Sequence, residues 1–166
     1  MSDAQTVDPK HVDLERLADW MDGQGLAGER IEDARVLAGG TQNILLHFTR
    51  AGRPFVLRRP PPHLRKNSDE TMRREARVLA ALADTGVPHP RLIAACPETD
   101  VLGAAFYLME PVDGFNATQG LPELHEGDPQ IRHDMGLAMA DGAGDPPARV
   151  PISLGDLASV HSLFVG

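Results

Sequence analysis

At 166 residues, with 42% hydrophobic and 24% charged side chains, the chain has the make-up of an ordinary globular domain with a real core. Its 16 Lys and Arg stand against 24 Asp and Glu, and the net charge of -8 argues against a nucleic-acid partner despite a basic run of Arg58, Arg59, Arg65, Lys66, Arg73, Arg74 and Arg77. The lone Cys96 excludes an internal disulfide and a cysteine-rich metal site, and neither a signal peptide nor an apolar run near the ~18 residues of a membrane span is present, so a reduced cytoplasmic setting without a membrane partner is expected.

Residues 1–8 read as a frayed tail. Asp8-Pro9 is expected to open a helix, because Asp suits the cap and Pro the first helical position. Val12, Leu14, Leu17, Ala18 and Met21 give that helix an apolar face, and Gly23 and Gly25 end it. A loose strand over 30–37, a tight turn at Gly39-Gly40-Thr41, and a strand over 44–49 follow. Ala51-Gly52-Arg53-Pro54 reads as a hairpin turn into a third strand, which Pro60-Pro61-Pro62 stops because proline cannot donate to a sheet ladder. Ser68 or Asp69 is expected to cap a helix running to about position 84. Two more strands, over 92–95 and 105–111, complete a helix, three strands, helix, two strands order. Short loops between the first three strands predict antiparallel pairing. A helix over about 131–140 follows, with Asp128 before Pro129 as its cap. The close on Leu163-Phe164-Val165-Gly166 reads as an incomplete domain. The expected fold is α+β, a five-stranded, mainly antiparallel sheet with a flanking helix and a short helical segment after it.

Four features carry chemistry. Gly39-Gly40-Thr41-Gln42-Asn43 pairs two glycines, whose backbone N–H groups can approach phosphate oxygens closely, with three side-chain donors. It is also a plausible plain turn, and no Gly-Lys-Ser/Thr follows to make a P-loop. In the third strand, alternation places Val56 and Arg58 on one face and Phe55, Leu57 and Arg59 on the other, so one of the two arginines can enter a cleft beneath the turn. Met72 and Leu79 bracket Glu75 at helical spacing, which directs a carboxylate into the core face, where it needs a partner. The strand arginine is the obvious one. Finally, the apolar run Phe106-Tyr107-Leu108-Met109 breaks at Glu110-Pro111-Val112-Asp113-Gly114, a linker whose backbone suits the edge of a base.

In this order and spacing the four features resemble the aminoglycoside phosphotransferase-like family of kinase-like fold, over about 37–114. The wording is close to that of a branch some of whose members are fused to acyl-CoA dehydrogenases: Gly-Gly-Thr-Gln-Asn, Phe-Val-Leu-Arg-Arg-Pro-Pro, Arg74-Glu75-Ala76-Arg77-Val78-Leu79, Gly86-Val87-Pro88-His89-Pro90 and Leu108-Met109-Glu110-Pro111-Val112-Asp113-Gly114. The resemblance implies a nucleotide-binding small lobe over 9–114 and the start of a large lobe over 115–166. It implies ATP or GTP with Mg as ligand, Gly39 to Asn43 over the phosphates, Arg58 where most kinases carry lysine, Glu75 as its partner, and the Glu110 carbonyl and Val112 N–H facing the base. Arginine at that place departs from kinases at large, and its planar fork is not interchangeable with an ammonium.

Phosphoryl transfer in this fold needs an aspartate base, an asparagine and a metal-binding aspartate. His125-Glu126-Gly127-Asp128 imitates the family's His-Gly-Asp, but Glu126 interrupts it and His133 stands where the asparagine would. No catalytic residue and no metal ligand is therefore assigned. His11, His47, His63, His89, His125, His133 and His161 lack metal-ligand spacing and read as structural or surface residues, and no Gly-x-Ser-x-Gly supports a hydrolase. The expectation is a lobe that binds nucleotide weakly and transfers nothing alone, completed by a separate catalytic lobe. The alternative is an interaction module that pairs with a partner or itself through Leu154, Leu157, Val160, Leu163 and Phe164.

Overall fold

The computed structural model describes residues 12–37, 43–61, 66–113 and 120–142. Their order is α1 (Leu14–Gly23), β1 (Glu32–Val36), β2 (Ile44–Arg50), β3 (Arg53–Arg59), α2 (Ser68–Leu82), β4 (Leu92–Cys96), β5 (Phe106–Met109), α3 (Glu123–Gly127) and α4 (Pro129–Gly142). The strands form a single five-stranded sheet in the order β1-β2-β3-β5-β4, and all four pairings are antiparallel. The α+β expectation holds. No described helix is long and apolar enough to cross a membrane.

The first helix starts later than its sequence suggests. Val12 and Asp13 are not helical, and Asp13, in extended backbone, caps α1 by accepting a 3.0 Å hydrogen bond from the Arg16 N–H. Asp8 and Pro9 lie outside the described residues. A left-handed Gly25 (φ 75°) follows the last turn, as expected. The second helix also differs at its start. Asn67 occupies the cap position without a side-chain cap bond, and Ser68 and Asp69 are already helical. The Asp69 carboxylate is drawn elsewhere: it accepts a 2.8 Å bond from the Ala105 N–H and so ties the first turn of α2 to the foot of β5.

The β2–β3 hairpin pairs without a break from Ile44↔Arg59 to Arg50↔Arg53. Two residues close it, Ala51 and Gly52, both left-handed (φ 50° and 72°), the conformation whose twist matches the flanking strands. The β1–β2 pair carries an irregularity between Glu32 and Arg35, where Asp33 is left-handed (φ 52°) and the Thr49 hydroxyl reaches the Glu32 carbonyl.

The sheet has two unlike faces. On the outer face α1 packs Leu17 and Met21 against Leu46 and Phe48 of β2, Phe55 and Leu57 of β3, and Phe106 and Leu108 of β5. Trp20 meets Phe106 edge-on at 4.8 Å, and Phe48 stacks on Phe55 at 5.4 Å. On the inner face α2 lays Met72, Ala76 and Leu79 over Val56, Tyr107 and Met109. Each such fully buried side chain contributes about 1.5–3 kcal/mol. β3 and β5, covered on both faces, are buried almost throughout, whereas β2 alternates between buried and half-buried. The half-buried set, Leu45, His47 and Thr49, lies on the inner face, with Leu45 packed against the cluster that α2 covers.

Beyond the linker, two helices stand where one was expected. α3 had no signal in the sequence beyond Pro122 and a run of helix formers. Asp128 does cap α4, accepting a 2.8 Å bond from the Gln130 N–H. None of the described side chains of α3 and α4 is buried, and Leu124 and Leu137 are exposed. The run Leu154, Leu157, Val160, Leu163 and Phe164 lies outside the described residues.

Candidate nucleotide site

β3 brings Arg58 to the inner face, two residues from Val56, and α2 brings Glu75 down onto it from above. The Arg58 Nε donates to Glu75 Oε2 at 3.0 Å and Nη2 donates to Oε1 at 3.4 Å. Both side chains are buried to 2% exposure or less. The pairing expected from strand alternation and helix spacing is therefore present, as a two-point contact along one edge of the guanidinium.

A third residue completes the cluster. β5 places Tyr107 directly opposite Arg58, and its hydroxyl donates to Glu75 Oε2 at 3.1 Å. Burial pushes the Glu75 carboxyl above its ordinary value, while the Arg58 charge, the phenol and the charge of Arg74 pull it back. The Tyr107 phenol is pushed well up, first by burial and then by the negative charge of Glu75. The physical result is a guanidinium, a carboxyl group and a phenol held together in an apolar setting. Sequence reasoning missed Tyr107. Alternation back from Met109 would have put it on the inner face, and a hydroxyl there must find a partner when buried.

The linker leaves the sheet where β5 ends. Met109 pairs with Val56, and the Glu110 N–H donates to the Arg91 carbonyl at 2.9 Å, which fixes the turn-off. The Glu110 carboxylate meets Arg53 at 3.4 Å on the surface, and Val112 is 65% exposed. Asn43 sits half-buried at the start of β2, while Gly39, Gly40, Thr41 and Gln42 lie outside the described residues. The structure thus gathers Arg58 and Glu75 in one cluster and sets Glu110 and Val112 at the far end of the neighbouring strand. Between them the inner face carries an apolar cluster that includes Val56 and Met109, with Leu37 and Leu45 packed against it.

Other charged groups are tied down elsewhere. Arg73 donates to the Pro97 carbonyl and Arg77 pairs with Glu70. Arg59 is buried, and that burial lowers its pKa against the pull of Asp69. Cys96 is buried on the outer face, its thiol pushed up to about 11 by burial, so it is inert rather than nucleophilic. Among the described residues no group of three His, Cys, Asp or Glu side chains gathers as a metal site.

Residues 33–151 match the model of the phosphotransferase enzyme family. Mouse acyl-CoA dehydrogenase family member 10 is 36% identical over 75 residues, covering 45% of this chain and 7% of that protein. Human acyl-CoA dehydrogenase family member 11 is 32% identical over 119 residues, covering 68% of this chain and 15% of that one. Among solved structures, a Ralstonia eutropha protein classed as a candidate aminoglycoside phosphotransferase superposes with a TM-score of 0.50 at 33% identity, over 63% of this chain and 29% of that one. Aminoglycoside phosphotransferase APH(4)-Ia superposes with a TM-score of 0.51 at 16% identity, over 85% of this chain and 41% of its own, a likeness of fold alone. The chain thus spans well under half the length of each of these relatives. With the family match over most of the chain, and with the sheet, helix and inner-face ion pair in the order the motifs predict, the chain belongs to the phosphotransferase enzyme family.

Proposed function

We propose that this stretch is the nucleotide-holding lobe of an ATP- or GTP-dependent phosphotransferase acting on a small-molecule hydroxyl. The observation that carries the reading is the buried Arg58–Glu75 pair on the inner face, in a chain of this family. A cation kept at a fixed place by a buried carboxylate is what a polyphosphate needs, because a preorganised charge requires no rearrangement when the anion arrives. The apolar patch of Val56, Met109, Leu37 and Leu45 would lie against the flat base, with the linker backbone around Glu110 and Val112 reading its edge. The segment Gly39 to Asn43 would cover the phosphates.

Binding and orientation are the tasks these residues can perform. The aspartate and asparagine that would accept the hydroxyl proton and hold magnesium are not assigned in this sequence, and the relatives extend far beyond the matched stretch. The reading therefore gives this stretch the nucleotide and leaves the chemical step to other parts of the family's fold.

The test is thermal melting with Mg-ATP or Mg-GTP, beside the double variant Arg58→Met/Glu75→Leu, which removes both charges and keeps the space filled. Ligand at about a hundredfold excess over its Kd adds about 2.7 kcal/mol to the native state. The native chain is expected to melt higher with nucleotide and the double variant not to respond. A native chain indifferent to both nucleotides, or a double variant that responds equally, would overturn the reading.

A further inference from the structure

The proposed site leaves one buried polar group unexplained. A phenylalanine would fill the place of Tyr107 equally well, yet the chain spends a hydroxyl there, 0% exposed, beneath the apolar face of α2. That hydroxyl bonds Glu75 Oε2, the same oxygen that the Arg58 Nε reaches. We infer that Tyr107 is the positioning residue of the phosphate site: it fixes the carboxylate of Glu75 so that Glu75 holds Arg58 side-on. This rests on the nucleotide-lobe reading above and deepens it.

The argument is geometric. A carboxylate bonded by one flexible cation can rotate about its last torsion, which is broad. With the phenol on β5 and the guanidinium on β3 both directed at Oε2, and Nη2 on Oε1, that rotation is closed off. Contact along the Nε/Nη2 edge also fixes the plane of the guanidinium and directs its Nη1 donors away from Glu75. An ammonium has no edge, so a lysine at this place would gain nothing from a carboxylate held in one plane. The tyrosine and the arginine thus make sense together: the phenol orients the acid, and the acid orients a fork suited to two phosphate oxygens.

The chain contains a single tyrosine, which makes the inference directly measurable. Chain grown with 3-fluorotyrosine carries one fluorine resonance, and it reports the Tyr107–Glu75–Arg58 cluster alone. Mg-ATP is expected to shift that resonance, and adenosine, which lacks phosphates, is not. In the Tyr107→Phe variant, affinity for Mg-ATP is expected to fall about tenfold, the scale of one hydrogen bond to a charged group, while affinity for adenosine stays as in the native chain. A role in core filling alone would weaken both ligands equally or neither. Equal affinities of native chain and variant for Mg-ATP, or a resonance that ignores Mg-ATP while the nucleotide binds, would overturn the positioning role and leave the nucleotide reading standing. A native chain that binds neither ligand would overturn both. Should the variant fail to fold, the resonance of the labelled native chain decides.

Discussion

Arg50 and Arg58 lie on the same hairpin, are buried to 4% and 2% exposure, and are satisfied in opposite ways. Arg50 closes β2 on the outer face. It donates five hydrogen bonds: to the carbonyls of Ala18, Leu26, Gly28 and Glu29 and to the carboxylate of Asp22, which is itself half-exposed. Its charge is spread over the end of α1 and the loop behind it, and Gly28 is pressed so close that an added Cβ would stand 3.3 Å from the Arg50 Cγ. Arg58, on the inner face, is held side-on by the fully buried carboxylate of Glu75. The first arginine is a mould around which the backbone is cast. The second is paired with an acid from another element, which fixes where its guanidinium stands.

Four experiments press on that contrast. The largest effect is expected at Glu75→Ala, which takes the carboxylate away from a buried guanidinium and should cost about 3–5 kcal/mol in denaturant unfolding. Arg58→Met/Glu75→Leu/Tyr107→Phe should recover most of that loss, because a buried pair can be exchanged for apolar side chains of similar size and the phenylalanine removes the hydroxyl that Glu75 accepts from. A triple variant as unstable as the single one would mean that the polar cluster itself holds the lobe together. Arg50→Ala comes next, at about 2–4 kcal/mol, and here no partner substitution should rescue. Asp22→Ala alone should cost under about 1 kcal/mol, since its carboxylate is half in water. Rescue of Arg50→Ala by a change at Asp22 would make the two arginines alike after all.

Asp13→Ala should cost about 1 kcal/mol by uncapping α1, with no change in nucleotide response, because α1 serves the outer face only. The smallest effect concerns acid. The His47 pKa is lowered from 6.5, first by burial and then by Arg35, against an upward pull from Asp33. The unfolded chain therefore takes up this proton before the folded one does. Stability from this residue is complete above about pH 6.5 and is lost as pH falls through the lower folded value. His47→Gln should flatten that part of the stability profile between about pH 7 and 5; an unchanged acid slope would place the titration elsewhere.

Much of this contrast was legible in the residues themselves. Alternation along β3 and helical spacing around Glu75 each speak of one face of one element, and where two such faces must meet, the pair Arg58–Glu75 follows. The role of Arg50 was not legible, because four of its five partners are carbonyls, which every residue carries and no side-chain pattern marks. Asp69 looked like a cap since caps are local, yet its carboxylate serves an N–H 36 residues along the chain. Tyr107 hid within an apolar strand, where its ring fits the pattern and its hydroxyl leaves no trace in it. His47, read as a structural or surface residue, stands half-buried on the inner face of β2, its Nδ1 buried and lacking a hydrogen-bond partner among the described residues. Sequence patterns encode which way a side chain faces, and hydrogen bonding across register becomes visible only once the strands are aligned.

The turn between β2 and β3 bears on how fast this lobe assembles. Its left-handed Ala51 occupies a conformation that costs an L-residue other than glycine about 1–2 kcal/mol. That cost falls on hairpin closure, the most local pairing in the sheet, which short-range connectivity would otherwise make an early step. Ala51→Gly, which removes that cost, is expected to speed refolding in stopped-flow measurements. Because position 51 stands in the hairpin turn, away from Arg58 and Glu75 in the register, the same change is expected to leave the nucleotide response as it was.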